Sequence, residues 1–251
     1  MPRFHLSNLD PLTLTGEEAH HCRDVFRLCS GDEVEVFDGR GNAIRCRIEA
    51  VNKGEVRLVA LERRSTPPLP VRITLAAAIP KKNMDLIVQK ATELGVAEVV
   101  PLLTERTVVR ETKKTDRWRE IALESCKQCG NNWLPEIQPP QKTRDFLASP
   151  GKFDLKLIAS LQPDAKPLKA ILRESVVGRV TSRGVEPAPA EVSGPTTVLL
   201  MIGPEGDFTP AELGLAKSAG CLPLSLGPLV LRADTAALYT LSILHHELQN
   251  A

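Results

Sequence analysis

The chain lacks an excess of charge of either sign: its 251 residues carry 32 Lys plus Arg and 31 Asp plus Glu, a formal net charge of +1. No general electrostatic field draws polyanions to it, so a nucleic-acid partner has to be met by a local patch or a shaped groove. Also missing is any apolar run of membrane-spanning length. The opening segment MPRFHLSNLD has no apolar stretch of signal-peptide length either, and a cytoplasmic protein is expected. There is no Walker pattern and no G-x-G-x-x-G followed by a ribose-binding acid, which counts against ATP and NAD. Cys126 and Cys129 form a C-x-x-C, but it falls in a helical pattern with no second pair at metal-ligand spacing. Packing is therefore expected of it, and the six cysteines are expected to be reduced. His20-His21 and His245-His246 would serve as metal ligands only with carboxylates brought to them by the fold, and no metal is predicted.

What is present is ordinary for a globular protein, 42% hydrophobic and 25% charged, with length for two modest domains or one large one. Up to Arg64 the pattern is short and alternating. Glu33 to Phe37 alternates, Asp38-Gly39-Arg40-Gly41-Asn42 turns, Ala43 to Val51 alternates again, and Asn52-Lys53-Gly54 leads into Glu55 to Leu61. Short strands joined by tight turns predict a small β-barrel over residues 1–68. Ser65-Thr66-Pro67-Pro68-Leu69-Pro70 is a stiff linker and the predicted boundary.

Residues 71–251 read differently. A strand at Ile73 to Ile79, a helix from Met84 to Leu94 stopped by Gly95, a strand from Val96 to Leu103, a helix from Thr115 to Cys129 and a strand from Phe153 to Ala159 predict an α/β domain with a largely parallel sheet. Trp118, Ile121, Ala122, Leu123 and Ser125 supply the inner side of the 115–129 helix, so Trp118 is expected in the core rather than under a stacked base. Ser175 to Thr197, with three prolines and few large apolar residues, reads as a mobile surface loop.

Two loops between Val198 and Leu248 are shaped for a small molecule. Val198 to Ile202 is an apolar run suited to a doubly buried strand, and it stops at Gly203-Pro204-Glu205-Gly206, where glycines bare the backbone amides. Thr209, Pro210 and Glu212 then spell a capping box with proline in the first turn, and Gly220 ends that helix. The second loop follows a short strand at Leu222 to Leu226. Gly227-Pro228 turns, Leu229-Val230-Leu231 is apolar, and Arg232-Ala233-Asp234-Thr235-Ala236 enters the last helix with Asp234 as the expected cap. In a parallel sheet, ligands bind beyond the carboxyl ends of the strands, so both loops are expected to face one pocket.

The two loops, GPEG-x-F-[ST]-x-x-E and LG-x-x-[VI]-LR-x-[DE]-TA, resemble those of the RsmE family of 16S ribosomal RNA methyltransferases, of the SPOUT group. The resemblance extends to the Lys90 to Val96 block, the Pro101 to Arg106 block, the glutamine helix around Cys126 to Asn131, and a histidine-arginine block at about His21 to Arg27. It covers nearly the whole chain in order. Three positions depart from the family pattern: Leu229 stands for an arginine, Asn131 for another, and Asp207 for a frequent glycine.

The resemblance implies a PUA-like RNA-binding barrel followed by a trefoil-knotted α/β domain, where physical reasoning alone draws an unknotted doubly wound sheet. It further implies S-adenosylmethionine as cofactor, no metal, 16S rRNA of the small ribosomal subunit as partner, and a homodimer through the helix Met84 to Leu94 and the helix Asp234 to Leu248. The expected cofactor residues are Ile202, Gly203, Gly206, Leu226, Gly227, Leu231, Ala233, Thr235 and Ala236. Expected RNA contacts are Arg23, Arg27, Lys81, Lys82 and Gln128, although each cation equally suits a solvated face. Methylation at uracil N3 requires loss of a proton or stabilisation of the anion. Arg232 is the candidate for the latter, and Glu205 is a candidate base if burial raises its pKa. In the simpler alternative, Glu205 caps a turn and Arg232 pairs with Asp234. A methyltransferase for another RNA and a non-catalytic RNA-binding assembly factor are the competing readings.

Overall fold

A computed structural model describes residues 1–108, 114–174 and 196–249. Most of the loop expected at Ser175 to Thr197 lies outside the described residues. Two compact units result: Met1–Pro68 with Ala122–Leu134, and Leu69–Ile121 with Pro135–Ala251.

The first unit is a five-stranded sheet in the order β1 (Arg3–His5), β3 (Glu33–Phe37), β4 (Asn42–Val51), β5 (Glu55–Ser65) and β2 (Thr13–Thr15). Only β1 and β3 pair in parallel. The alternation seen in sequence is the strand pleat, which turns Val34, Val36, Ile44, Cys46, Ile48 and Val56 to one buried face. Register shifts at Arg45/Cys46 and Ile48/Ala50 insert extra residues into the β4–β5 pair, and such bulges curl a sheet. Helix α1 (Gly16–His20) and the π-turn His21–Val25 add Ala19 and Cys22 to this core.

Arg3 ties the Ala122–Leu134 segment into this unit. Its Nε donates to Glu35 Oε1 at 2.6 Å, its Nη1 to the Cys126 carbonyl at 2.6 Å and its Nη2 to Asn132, while the guanidinium lies 4.6 Å from the Phe37 ring centre. Cys126 packs as expected, its thiol pushed up to about 12 chiefly by burial. Cys129 does not: it is exposed.

The second unit is an eight-stranded sheet in which every registered pair is parallel. The order is β11 (Lys166–Pro167), β13 (Leu222–Ser225), β10 (Leu155–Ala159), β12 (Thr197–Ile202), β6 (Arg72–Ala78), β7 (Glu98–Leu103) and β8 (Glu136–Ile137), with β9 (Gln141–Lys142) also on β7. The two middle strands, β12 and β6, are buried at every residue after the first, as strands covered on both faces must be. Between strands run α2 (Met84–Glu93), α3 (Thr115–Cys129), α4 (Thr143–Ala148), α5 (168–174), α6 (Pro210–Ser218) and α7 (Ala233–Gln249). Trp118, 1% exposed, belongs to the core, with its indole N–H on Asp85 Oδ1 at 3.1 Å.

Some boundaries shift for local reasons. β7 begins at Glu98 because Gly95, at φ +73, and the Val96 amide bonded to the Ala91 carbonyl still belong to the end of α2. The last helix opens at Ala233, the Arg232 carbonyl already accepting from the Ala236 amide, so Asp234 sits in the first turn rather than at the cap.

At the amino ends of β10 and β12, Asp154 Oδ2 accepts from the amides and hydroxyls of Thr196 and Thr197 at 2.7–3.0 Å. These bonds, led by the Thr196 hydroxyl, hold the Asp154 carboxyl down at about 2. Its unfolded value is higher, so the stabilisation is present above roughly pH 4 and is lost as pH falls through about 2. Denaturant midpoints measured between pH 5 and 2 should therefore fall less steeply for Asp154→Asn than for the unaltered protein. Parallel acid limbs would show that the carboxylate contributes nothing there.

Candidate active site

The carboxyl ends of β10, β12 and β13 open on one cavity of 350 Å³. Three loops wall it: Ala159–Gln162 after β10, Ile202–Glu205 with Asp207 after β12, and Ser225–Leu231 after β13, with Ala233 and Ala236 of α7 closing the floor. Of the residues assigned to a cofactor from sequence, Ile202, Gly203, Leu226, Gly227, Leu231, Ala233 and Ala236 line this space. Gly206 and Thr235 do not. Gly206 faces away, its carbonyl accepting from Arg106 Nη1 at 2.5 Å, and Thr235 is exposed on α7 with its amide on Asp234 Oδ1.

The glycine loop is held from several sides. Glu212, 4% exposed, completes the capping box of α6 with Thr209 and also accepts the Glu105 amide at 3.1 Å. Glu205 Oε1 accepts the Lys81 amide at 3.0 Å. Glu205 is exposed, so the burial required for a carboxylate base is absent, and the turn-holding alternative describes it better. Asp207 stands at φ +60, the left-handed region that suits glycine, and its Oδ1 takes the Phe208 amide at 2.8 Å. An aspartate tolerates this conformation through such local bonding, which accounts for the exchange at that position. Gly227, at φ +107, has a backbone that side chains resist although nothing lies within 4 Å of an added Cβ.

Arg232 is exposed and lies in sequence between two lining residues, Leu231 and Ala233. No salt bridge within 4.0 Å joins it to Asp234, in contrast to the pairing alternative. The Asp234 carboxyl is held below its ordinary range first by the side-chain amide of Asn83, with the Thr235 amide and the Arg232 charge acting the same way.

The RNA candidates fall apart in character. The Arg23 guanidinium is occupied by Asp24 and by the carbonyls of Asn52 and Lys53. Arg27, at φ +55, is exposed and its side chain has no partner among the described residues. Lys81 and Lys82 are exposed beside a second cavity of 300 Å³ that begins at the end of β6, and Gln128 is exposed on α3.

Sequence reasoning missed Ala159–Gln162. This loop carries no glycine, and only its position after a predicted parallel strand could have marked it.

Residues 67–245 match the family model of the RNA methyltransferase domain, and residues 14–61 match that of the RNA methyltransferase PUA domain. The chain is 33% identical to the ribosomal RNA small subunit methyltransferase E of Synechocystis over 90% of its own length and 69% of that protein's. It is 28% identical to the enzyme of the same name from Bacillus subtilis, over 94% of this chain and 90% of that one. Among solved structures, the ribosomal RNA small subunit methyltransferase E of Neisseria gonorrhoeae bound to S-adenosyl methionine superposes with a TM-score of 0.80 at 28% identity, covering 99% of this chain and 98% of that one. With a parallel sheet ending in this cavity and both family models in order along it, the chain belongs to the RNA methyltransferase family, among the ribosomal RNA small subunit methyltransferases E.

Proposed function

We propose that this protein transfers a methyl group from S-adenosylmethionine to N3 of a uridine near the 3′ end of 16S rRNA in the small ribosomal subunit. The observation that carries the reading is the cavity at three parallel strand ends in a chain of this family. Its residues fit the cofactor. A volume of 350 Å³ falls within the range of small-molecule sites, about 300–1,000 Å³. Leu226, Leu231 and Ile202 offer apolar walls for an adenine, and Gly203 and Gly227 leave backbone groups unshielded. Bound there, S-adenosylmethionine supplies an electrophilic methyl group. The protein's own residues align the base and stabilise negative charge on the uracil oxygens.

Arg232 is assigned the second task, being an exposed cation between two residues that line the cavity. Proton loss from N3 then passes to water at the open lip rather than to Glu205, which holds the turn. RNA contact is assigned to the 1–68 domain, with Arg27 an exposed cation and Arg23 a positioned one, and to Lys81, Lys82 and Gln128. Residues 71–251 form the methyltransferase domain, and the chain threads it as a trefoil knot. A homodimer is supported by exposed Leu86 on α2 and Tyr239 on α7, helices that pack side by side. The leucine stripe of α7 is only partly available, since Leu241 and Leu244 are already buried within the chain. The substrate implies a cytoplasmic site of action.

Transfer of labelled methyl to small subunits lacking their modifications, followed by mapping of the base, tests this. Label at N3 of one uridine is expected. Label on a different RNA would move the substrate, and no cofactor-dependent rise in melting temperature would reduce the protein to an RNA binder.

A further inference from the structure

The turn 79–83 between β6 and α2 touches both candidate catalytic segments. Through the Lys81 amide it holds Glu205 of the first loop at 3.0 Å, and through the side chain of Asn83 it holds Asp234, next but one to Arg232, at 2.7 Å. Asn83 is unusual in how it does so. It occupies the cap position of α2, where asparagine normally bonds the first-turn amides, yet it makes no such bond. Its backbone is left-handed, φ +71, a conformation asparagine reaches more readily than other residues with a side chain. That twist is accompanied by a side chain directed at another helix, the first turn of α7. Asp234 cannot serve as the cap of α7, and its two oxygens are divided between the Thr235 amide and Asn83.

We infer that Asn83 is a positioning residue for methyl transfer: by fixing Asp234 it sets the first turn of α7 and the direction in which Arg232 leaves the rim. The inference rests on the assignment of Arg232 made above. Asn83 lines the 300 Å³ cavity beside Lys81 and Lys82 and reaches the cofactor cavity through the first turn of α7, whose Ala233 and Ala236 line it, so its effect falls more heavily on turnover than on cofactor affinity.

The test compares Asn83→Asp, Asn83→Ala and Asn83→Lys in the full chain, with kcat at saturating cofactor and RNA, cofactor Kd by calorimetry, and melting temperature. Asn83→Asp places two carboxylates face to face. It should lower kcat at least tenfold while cofactor Kd changes less than threefold. Asn83→Lys, which restores a donor towards Asp234 on a residue less suited to the left-handed backbone, should recover part of the loss. Asn83→Ala combined with Asp234→Ala should be no slower than Asp234→Ala alone. Normal kcat in Asn83→Asp overturns the inference, as does a kcat loss matched by equal losses of cofactor affinity and melting temperature. Arg232→Ala run alongside separates the two ideas: if it turns over normally, the role of Arg232 fails, and a slow Asn83→Asp would then overturn the route through Arg232 as well.

Discussion

Replacing Gly203 by valine should weaken S-adenosylmethionine binding by about 100-fold, close to 2.7 kcal/mol. A Cβ at this position would stand 3.1 Å from Phe208 Cδ2 and 3.2 Å from Asp207 Oδ1. Phe208 is 2% exposed and packed in the core, so the ring has little room to yield. Forcing extra atoms into a packed region typically costs about 1–3 kcal/mol and displaces backbone. Here the displaced backbone is the wall of the cavity itself. Calorimetric titration of cofactor reads the effect, and an affinity within threefold of normal would mean that the glycine loop is not the cofactor wall.

Arg232→Ala should act on rate instead. Loss of a preorganised charge at a developing anion typically costs about 10²–10³-fold in kcat. Because Arg232 does not line the cavity while its neighbours Leu231 and Ala233 do, cofactor affinity should remain near normal. Raising the pH should narrow the deficit, since the uracil N3 proton is then lost without help. Arg232→Lys should recover only part of the rate, an ammonium being unable to reproduce the planar fork of donors. Single-turnover methyl transfer across a pH series checks all of this. A deficit independent of pH would point to base placement rather than charge stabilisation.

Much of this site was legible in the residues. Gly203-Pro204-Glu205-Gly206 and Leu226-Gly227 advertise bared backbone at strand ends, and Thr209 with Glu212 spells a helix start that the structure reproduces bond for bond. The parallel sheet followed from apolar runs too continuous for strands with one wet face. What did not show were contacts between distant segments. No local pattern says that the Arg106 side chain will reach the Gly206 carbonyl, or that Asn83 will forgo its own helix for Asp234. Exposure was equally hidden, since Glu205 needed burial to act as a base and only the fold shows that it has none. Asp234 misled because a good capping residue two positions past the cap looks the same in sequence as one in place.

The place of β12 in the sheet sets the order in which the molecule can be made. It lies between β10 and β6, with Thr197 beside Arg72, 125 positions earlier (197 − 72). Until residues 197–202 leave the ribosome, β10 has no partner at its β12 edge and β6 none at its own, so no strand pairing links β10 to the set β6, β7 and β8. Pairings this distant in sequence are slow to form because a long loop must close first. The strand that unites the fragments is also the one whose end becomes the glycine loop. A nascent chain thus joins β10 to β6 and forms its glycine loop in the same late event, with only the last fifth of the polypeptide, β13 included, lying beyond it.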